Sequence, residues 1–311
     1  MTALERPELE GLVTPDRQQL FALAREARRL PSWTRSVRAA EGGTYLSAMR
    51  GRGMEYDESR PYQAGDDVRH LDWRVMARRG EAHTKIFREE RERPVMICVD
   101  DRAPMHFATQ GRFKRVVAAT AASILAWKAF YAGDRVGAMV FSEDSHHELP
   151  PRRGKSAVSA VIGRLCTPAR RASIDDATLE ASLNGALDRM RRMLGPGTLV
   201  FLLSDFRGLN DTAAGELMRL RRHCDLVLGD FYDPLERALP RSTARLEVVN
   251  EAGKATLPTA DAAARARYRA RADRHAAAIR DLARRLGTPL MAFPTTAEPI
   301  TEIRRLLRGA R

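Results

Sequence analysis

Two acidic segments are the first that could do chemistry. Asp100-Asp101-Arg102-Ala103-Pro104-Met105 follows the apolar run 95–99, and Ser204-Asp205-Phe206 follows the apolar run 199–203. Carboxylates at the ends of two strands could together hold a hard divalent cation such as magnesium, which prefers oxygen ligands and completes its shell with hydroxyls and waters. The same acids could instead cap helices or accept from loop amides. A metal-dependent hydrolase built on Asp100, Asp101 and Asp205 is an alternative that requires the cation. His146-His147 hints at a metal, but neighbouring side chains of an extended segment point to opposite faces, so a surface loop is expected there.

Nucleophilic catalysis has little support. The GxSxG elbow is absent, and Cys98, Cys166 and Cys224 have no recognisable histidine partner motif. Gly154-Lys155-Ser156 ends like a phosphate-binding loop, but Leu149 stands where that loop's first glycine belongs, so ATP binding by this chain is not expected.

The densest stretch runs from Gly51 to Trp73 and includes Gly53, Glu55, Arg60, Tyr62, Gly65, Asp66, Asp67, Arg69 and Asp72, with Arg78 just beyond. Acids and arginines interleaved so closely build either a closed ion-pair network or an exposed recognition surface. Burying such charges singly is costly, so Arg60, Asp67, Arg69 and Asp72 are expected to pair with one another around Trp73.

These segments need a frame. From Pro94 onward, apolar runs at 95–99, 136–141, 199–203, 226–229 and 290–293 alternate with helical patterns near 111–132, 155–167, 176–194, 211–223 and 261–286. Runs without polar alternation suit strands buried on both faces, and the alternation predicts a doubly wound, mainly parallel sheet. Residues 15–30 read as a helix capped by Thr14 with Pro15 first. A hairpin is expected around Asn250-Glu251-Ala252-Gly253. The division that follows is an N-terminal helical extension over 1–40, a strand and loop subdomain over 41–93, and an α/β domain over 94–311.

The formal charge is +13, and only five of the 53 basic residues are lysines. A basic balance allows nucleic acid, anionic lipid or acidic protein as partner. The arginines are dispersed and clustered aromatics are absent, which places nucleic acid behind acidic protein. No apolar run approaches the roughly 18 residues of a membrane span. The acidic, proline-containing start and the unpaired cysteines predict a cytoplasmic location.

The pattern Gly51-x-Gly53-x-Glu55, Ser59-Arg60-x-Tyr62-x-x-Gly65-Asp66-Asp67-x-Arg69-x-Leu71-Asp72-Trp73, then Ala77-Arg78 and Lys85-x-Phe87-x-Glu89-Glu90, resembles the signature of the domain of unknown function 58 family. The likeness continues through Arg93-Pro94-Val95-Met96, Asp100, Gly133-Asp134-Arg135-Val136-Gly137 and Ser204-Asp205-Phe206, over about residues 40–235. The resemblance implies a von Willebrand factor A-like domain that works with a MoxR-type AAA+ ATPase on a client protein. It also implies a metal-ion-dependent adhesion site of the form Asp-x-Ser-x-Ser, completed by a later threonine and aspartate. Asp100 and Asp205 match the two aspartates, and Thr178 is the candidate threonine. Arg102 and Pro104, however, replace the serines, so the implied site is degenerate: no cofactor is expected, at most weak magnesium binding, and Arg102 is the expected internal counter-ion. The expected function is a non-enzymatic interaction module.

Overall fold

The computed structural model describes residues 11–33, 54–63, 66–89, 93–167, 175–241, 246–250, 253–257 and 259–309. The chain divides into two compact units, one of residues 1–42 with 93–311 and one of residues 43–92. In chain order, the larger unit opens with α1 (Arg17–Ala22) and α2 (Ala24–Arg28), and the smaller holds β1 (Met54–Pro61), α3 (Trp73–Arg79) and β2 (His83–Glu89). The larger unit resumes with β3 (Pro94–Asp100), α4 (Lys114–Tyr131), β4 (Arg135–Phe141), β5 (His146–Arg152), α5 (Lys155–Leu165) and α6 (Asp176–Met193). It continues with β6 (Leu199–Ser204), α7 (Asp211–Arg221), β7 (Asp225–Tyr232), α8 (Pro234–Arg237) and the pair β8 (Leu246–Asn250) and β9 (Gly253–Leu257). It ends with α9 (Ala262–Leu286), β10 (Leu290–Pro294) and α10 (Pro299–Arg308).

The apolar runs become the sheet, in the order β10-β7-β6-β3-β4-β5. All neighbours are parallel except β4 and β5. Side chains alternate across a strand, so β3 sends Val95, Ile97 and Val99 into one core and Met96 and Cys98 into another. The first core takes α4 and α5, the second α6, α7 and the end of α9. Helices therefore cover both faces, as the continuous apolar runs require, and each buried aliphatic side chain contributes about 1.5–3 kcal/mol over leaving it exposed. The helix starts are set by side-chain caps: Asp175 accepts from the Thr178 amide, Asn210 from Ala213 and Asp261 from Ala263.

Several elements differ from expectation. The N-terminal helix is capped by Asp16, not Thr14, because the Asp16 carboxylate reaches the Gln19 amide, and it breaks at Leu23 into α1 and α2. Leu20, Ala27, Leu30 and Trp33 then enter the first core, so the division at residue 40 does not set these helices apart from the α/β unit. His146-His147 begins an edge strand, not a loop. Pro150 and Pro151 are tolerated there because a register shift opposes them to Gly137, where an added Cβ would lie 2.6 Å from the Leu149 carbonyl oxygen. Beyond the last expected strand, α10 buries Ile303 and Leu307.

In the smaller unit β1 and β2 pair antiparallel, and between them the chain forms a short 3₁₀ turn (Val68–His70) and α3, within a segment read as strands and loops alone. Asp72 caps α3 and Gly80, at φ 73°, ends it in the left-handed region that glycine takes freely.

Candidate functional site at the carboxyl ends of the strands

From β3 the chain moves to β4 and β5 on one side, then crosses to β6, β7 and β10 on the other. Loops leaving β3 and β6 therefore diverge, and such a switch point is where open α/β sheets form their crevice. Pairing of residues 95–99 with 199–203 brings Asp100 and Ser204 to the same level.

Asp100 is fully buried there, and so is Arg102. The guanidinium grips Asp100 bidentately, with Nε donating to Oδ1 at 2.9 Å and Nη2 to Oδ2 at 2.7 Å, while the Arg102 amide adds a bond to Oδ1 at 3.0 Å. Ser204 Oγ donates to Asp100 Oδ2 at 2.6 Å. The remaining guanidinium nitrogen, Nη1, donates to the Leu179 carbonyl at 2.8 Å. Thr178, the candidate ligand, instead gives its amide to the Asp175 cap, and the residue after it meets Arg102.

Asp205 is held by a second buried cation. Lys114 Nζ donates to Asp205 Oδ2 at 2.9 Å and to Glu236 Oε1 at 2.9 Å, while Arg102 Nη2 lies 4.0 Å from Asp205 Oδ1. The Arg207 amide donates to Asp205 Oδ1 at 3.0 Å, and the Arg207 side chain donates to Glu236 Oε1 at 3.0 Å. Burial alone would raise the Asp205 pKa, but Lys114, then Arg102 and Arg207, overcome it and hold the carboxyl at about 2. Burial likewise works against the Lys114 ammonium, yet Asp205 and Glu236 outweigh it and raise its pKa above the ordinary lysine value.

The loop carrying Asp205 is tightly shaped. Phe206 is the non-glycine residue at positive φ, 55°, among the described residues, and its amide donates to Ser204 Oγ at 2.8 Å. Gly208, at φ 85°, lies so close to α6 that a Cβ would stand 2.6 Å from the Leu179 carbonyl oxygen.

Around the centre the other acids are also spoken for. Arg115 and His106 hold Asp101, with Arg115 Nε donating at 2.8 Å. Asp233 accepts from Thr109, Leu235 and Thr295. Glu143 takes the Ala103 amide at 2.6 Å, and burial raises its pKa.

A divalent cation does not fit this arrangement. Magnesium needs oxygen donors with free lone pairs in near-octahedral order. Here the carboxylate oxygens of Asp100 and Asp205 accept from Arg102, Ser204, Arg207 and Lys114, and the Arg102 guanidinium lies between the two acids. Pro104 supplies no donor to the centre and sits in a 3₁₀ turn. Among the described residues no group of three or more His, Cys, Asp or Glu is placed to hold a metal ion.

Among the described residues, the signature residues of the smaller unit make the following pairings. Arg60 pairs with Asp66 at 2.7 Å, and Asp66 also accepts from the Gln63 amide. That amide first, and then Arg60, lowers the Asp66 pKa. Asp72 is buried, accepts from Ser59 Oγ at 2.7 Å and caps α3 through the Arg74 and Val75 amides. Asp67 caps the 3₁₀ turn through the Arg69 amide, and the exposed Arg69 side chain stays 3.7 Å from it. Trp73 is 67% exposed, and Tyr62 and Arg78 are exposed as well. Among the described residues most of these pairings are short-range in sequence, because caps and turns compete for the carboxylates. Gly51, Gly53 and Gly65 lie outside the described residues, and Glu55 is described only as part of β1.

The family "Protein of unknown function DUF58" matches residues 58–278, most of the chain. The chain belongs to this family. It is 28% identical over 269 residues to "Uncharacterized protein Rv1480" and "Uncharacterized protein MT1527" of Mycobacterium tuberculosis and to "Uncharacterized protein Mb1516" of Mycobacterium bovis, covering 86% of this chain and 83% of each relative. Among solved structures it is similar to the conserved hypothetical protein BatB from Bacteroides thetaiotaomicron, at 12% identity and a TM-score of 0.38 over 70% of this chain and all of that one. It is also similar to an uncharacterized membrane spanning protein from Vibrio fischeri, at 14% identity and a TM-score of 0.25 over 70% of this chain and 97% of that one. Scores this low carry no inference. No helix among the described residues of this DUF58 chain is long and apolar enough to cross a membrane.

Sequence reasoning about the DUF58 site found Asp100, Arg102 and Asp205 but missed Lys114, Glu236 and Arg207. Lys114 opens an apolar helix and is fully buried, which a lysine rarely is without partners, so its place among apolar residues was the available signal. Glu236 gave its own hint, since Asp233-Pro234-Leu235-Glu236 has the spacing of a capping box.

Proposed function

We propose that this protein is a non-enzymatic interaction module of the von Willebrand factor A-like type, acting as adaptor to a MoxR-type AAA+ ATPase and its client, with an ion-pair cluster in place of the adhesion-site metal. The observation that carries this reading is the pair of buried cations at the switch point, Arg102 on Asp100 and Lys114 on Asp205. They supply inside the chain the positive charge that a bound cation would bring, so the loops above the sheet are held in one arrangement without a metal. Binding through them is then independent of divalent ions. The acids that a hydrolase would need, Asp101 and Asp205, are engaged by Arg115 and Lys114, which leaves neither as a free base or ligand.

The test is affinity purification of the full chain from its source cells, in the absence and presence of nucleotide and with a chelator added to the nucleotide-free sample, followed by mass spectrometry. The AAA+ ATPase should be enriched, and the chelator should not release it. Divalent-dependent turnover that disappears in Asp205→Ala would replace this reading with the hydrolase, and DNA retention falling steeply with salt would replace it with the nucleic-acid reading.

A further inference from the structure

The exposed side of α3 has an unusual composition for a solvated surface. Trp73, Arg74, Ala77 and Arg78 are all exposed, while Val75 and Met76 are partly covered. At 3.6 residues per turn, Trp73 and Ala77 stack along one line and Arg74 and Arg78 along the next, so the four form one continuous face. The small Ala77 leaves the indole beside it uncovered. Just before the helix, Val68 is 61% exposed and Arg69 is exposed too. Arg74 and Arg78 have no acidic partner among the described residues.

This face is held rigidly. Asp72 caps the helix and is anchored by Ser59, the Asp72 amide donates to the His83 carbonyl at 2.8 Å, and Leu71 bridges to Thr84. A tryptophan fixed in the open beside unpaired arginines has the composition of a protein-binding hot spot, since Trp and Arg are enriched in such spots and Trp buries much area at little conformational cost.

We propose that this face docks an acidic protein segment carrying an apolar anchor: the anchor packs on Trp73 and Val68, and its carboxylates meet Arg69, Arg74 and Arg78. The inference rests on the interaction-module reading and names the chemistry of its partner. A protein fits better than a nucleic acid because Asp67 and the exposed Glu81 lie in the same stretch, where they oppose a continuous phosphate chain but leave room for discrete carboxylates. One indole beside an aliphatic side chain also makes a poor platform for successive bases.

The chain reports on itself. Of its three tryptophans, Trp33 and Trp127 are 7% and 2% exposed, so acrylamide quenching in the full-length protein reads Trp73. The probe is a short tryptophan-free peptide with glutamates on both sides of a central leucine–phenylalanine pair; it should shield Trp73. Its affinity should fall at least about tenfold in the double variant Arg74→Glu, Arg78→Glu, and as much in Trp73→Ala read by anisotropy of the labelled peptide. Both variants should keep the parent circular dichroism, since these side chains are exposed. No shielding by the peptide, or equal or stronger shielding by a thymidine oligonucleotide of the same charge, overturns the proposal. The MoxR-type ATPase of the source organism is assayed in parallel. If it binds with unchanged affinity to all variants, this docking face is wrong and the adaptor reading stands. If it does not bind while the peptide does, the face stands and the ATPase assignment falls.

Discussion

The cluster at Asp100 and Asp205 and the signature stretch around Trp73 mix arginines and carboxylates in similar proportion, yet the first is closed and the second open. In the cluster three cationic side chains, Arg102, Lys114 and Arg207, face three carboxylates, Asp100, Asp205 and Glu236, and most of the donors are buried. In the signature stretch Asp67 caps a turn and Asp72 a helix, and Arg69, Arg74 and Arg78 face solvent. Burial makes the difference: a charge inside the protein must find a partner, whereas one at the surface gains little from having one. Charge density along a sequence therefore does not separate a structural network from a recognition surface.

The contrast is broken most directly by removing one buried partner. Arg102→Met leaves Asp100 buried without its cation and should cost about 3–5 kcal/mol in urea unfolding. A loss below about 1 kcal/mol would mean that the cluster is solvated like the surface stretch.

Acid should act next. Asp205 is held at about 2, below its ordinary value of 3.8, so its contribution is complete above pH ~4 and disappears as pH falls through the folded value. The shift corresponds to about 2 kcal/mol, lost between pH ~4 and ~2. Thermal melts of the parent and of Asp205→Asn should therefore differ at neutral pH and converge near pH ~2. Curves that stay parallel across that range would remove Asp205 as the titrating group.

Within the signature stretch, position should decide the effect. Asp72→Ala loses a buried cap and should cost about 1 kcal/mol, while Arg69→Ala should stay within about 0.5 kcal/mol because its side chain is exposed. Equal losses in the two variants would restore the closed network around Trp73.

The smallest effect concerns magnesium. Restoring hydroxyls with Arg102→Ser and Pro104→Ser still leaves Lys114 2.9 Å from Asp205, so the double variant should bind no better than the parent in calorimetry. Adding Lys114→Ser should yield affinity on the order of millimolar. Tight binding by the parent chain would show that the cation site is intact.

The sheet was legible because its strands are buried on both faces and so read as unbroken apolar runs; the expected runs fall within a residue or two of 94–100, 135–141, 199–204 and 290–294, and the run 226–229 lies inside the longer strand 225–232. The edge strand β5 and the short α3 were not, since a half-exposed edge with prolines and a seven-residue helix lack a full period of either pattern.

By itself the sequence determined the alternation of buried strands and amphipathic helices, the two aspartates at strand ends, and the loss of the hydroxyls at Arg102 and Pro104. These are local facts, carried by periodicity and by residue type. Only the tertiary structure decided that Lys114 and Glu236, 122 residues apart, close over Asp205, and that Trp73 stands in the open with its neighbouring acids used elsewhere. Partner choice among charges depends on which side chains the fold removes from water together, and spacing along the chain does not record that.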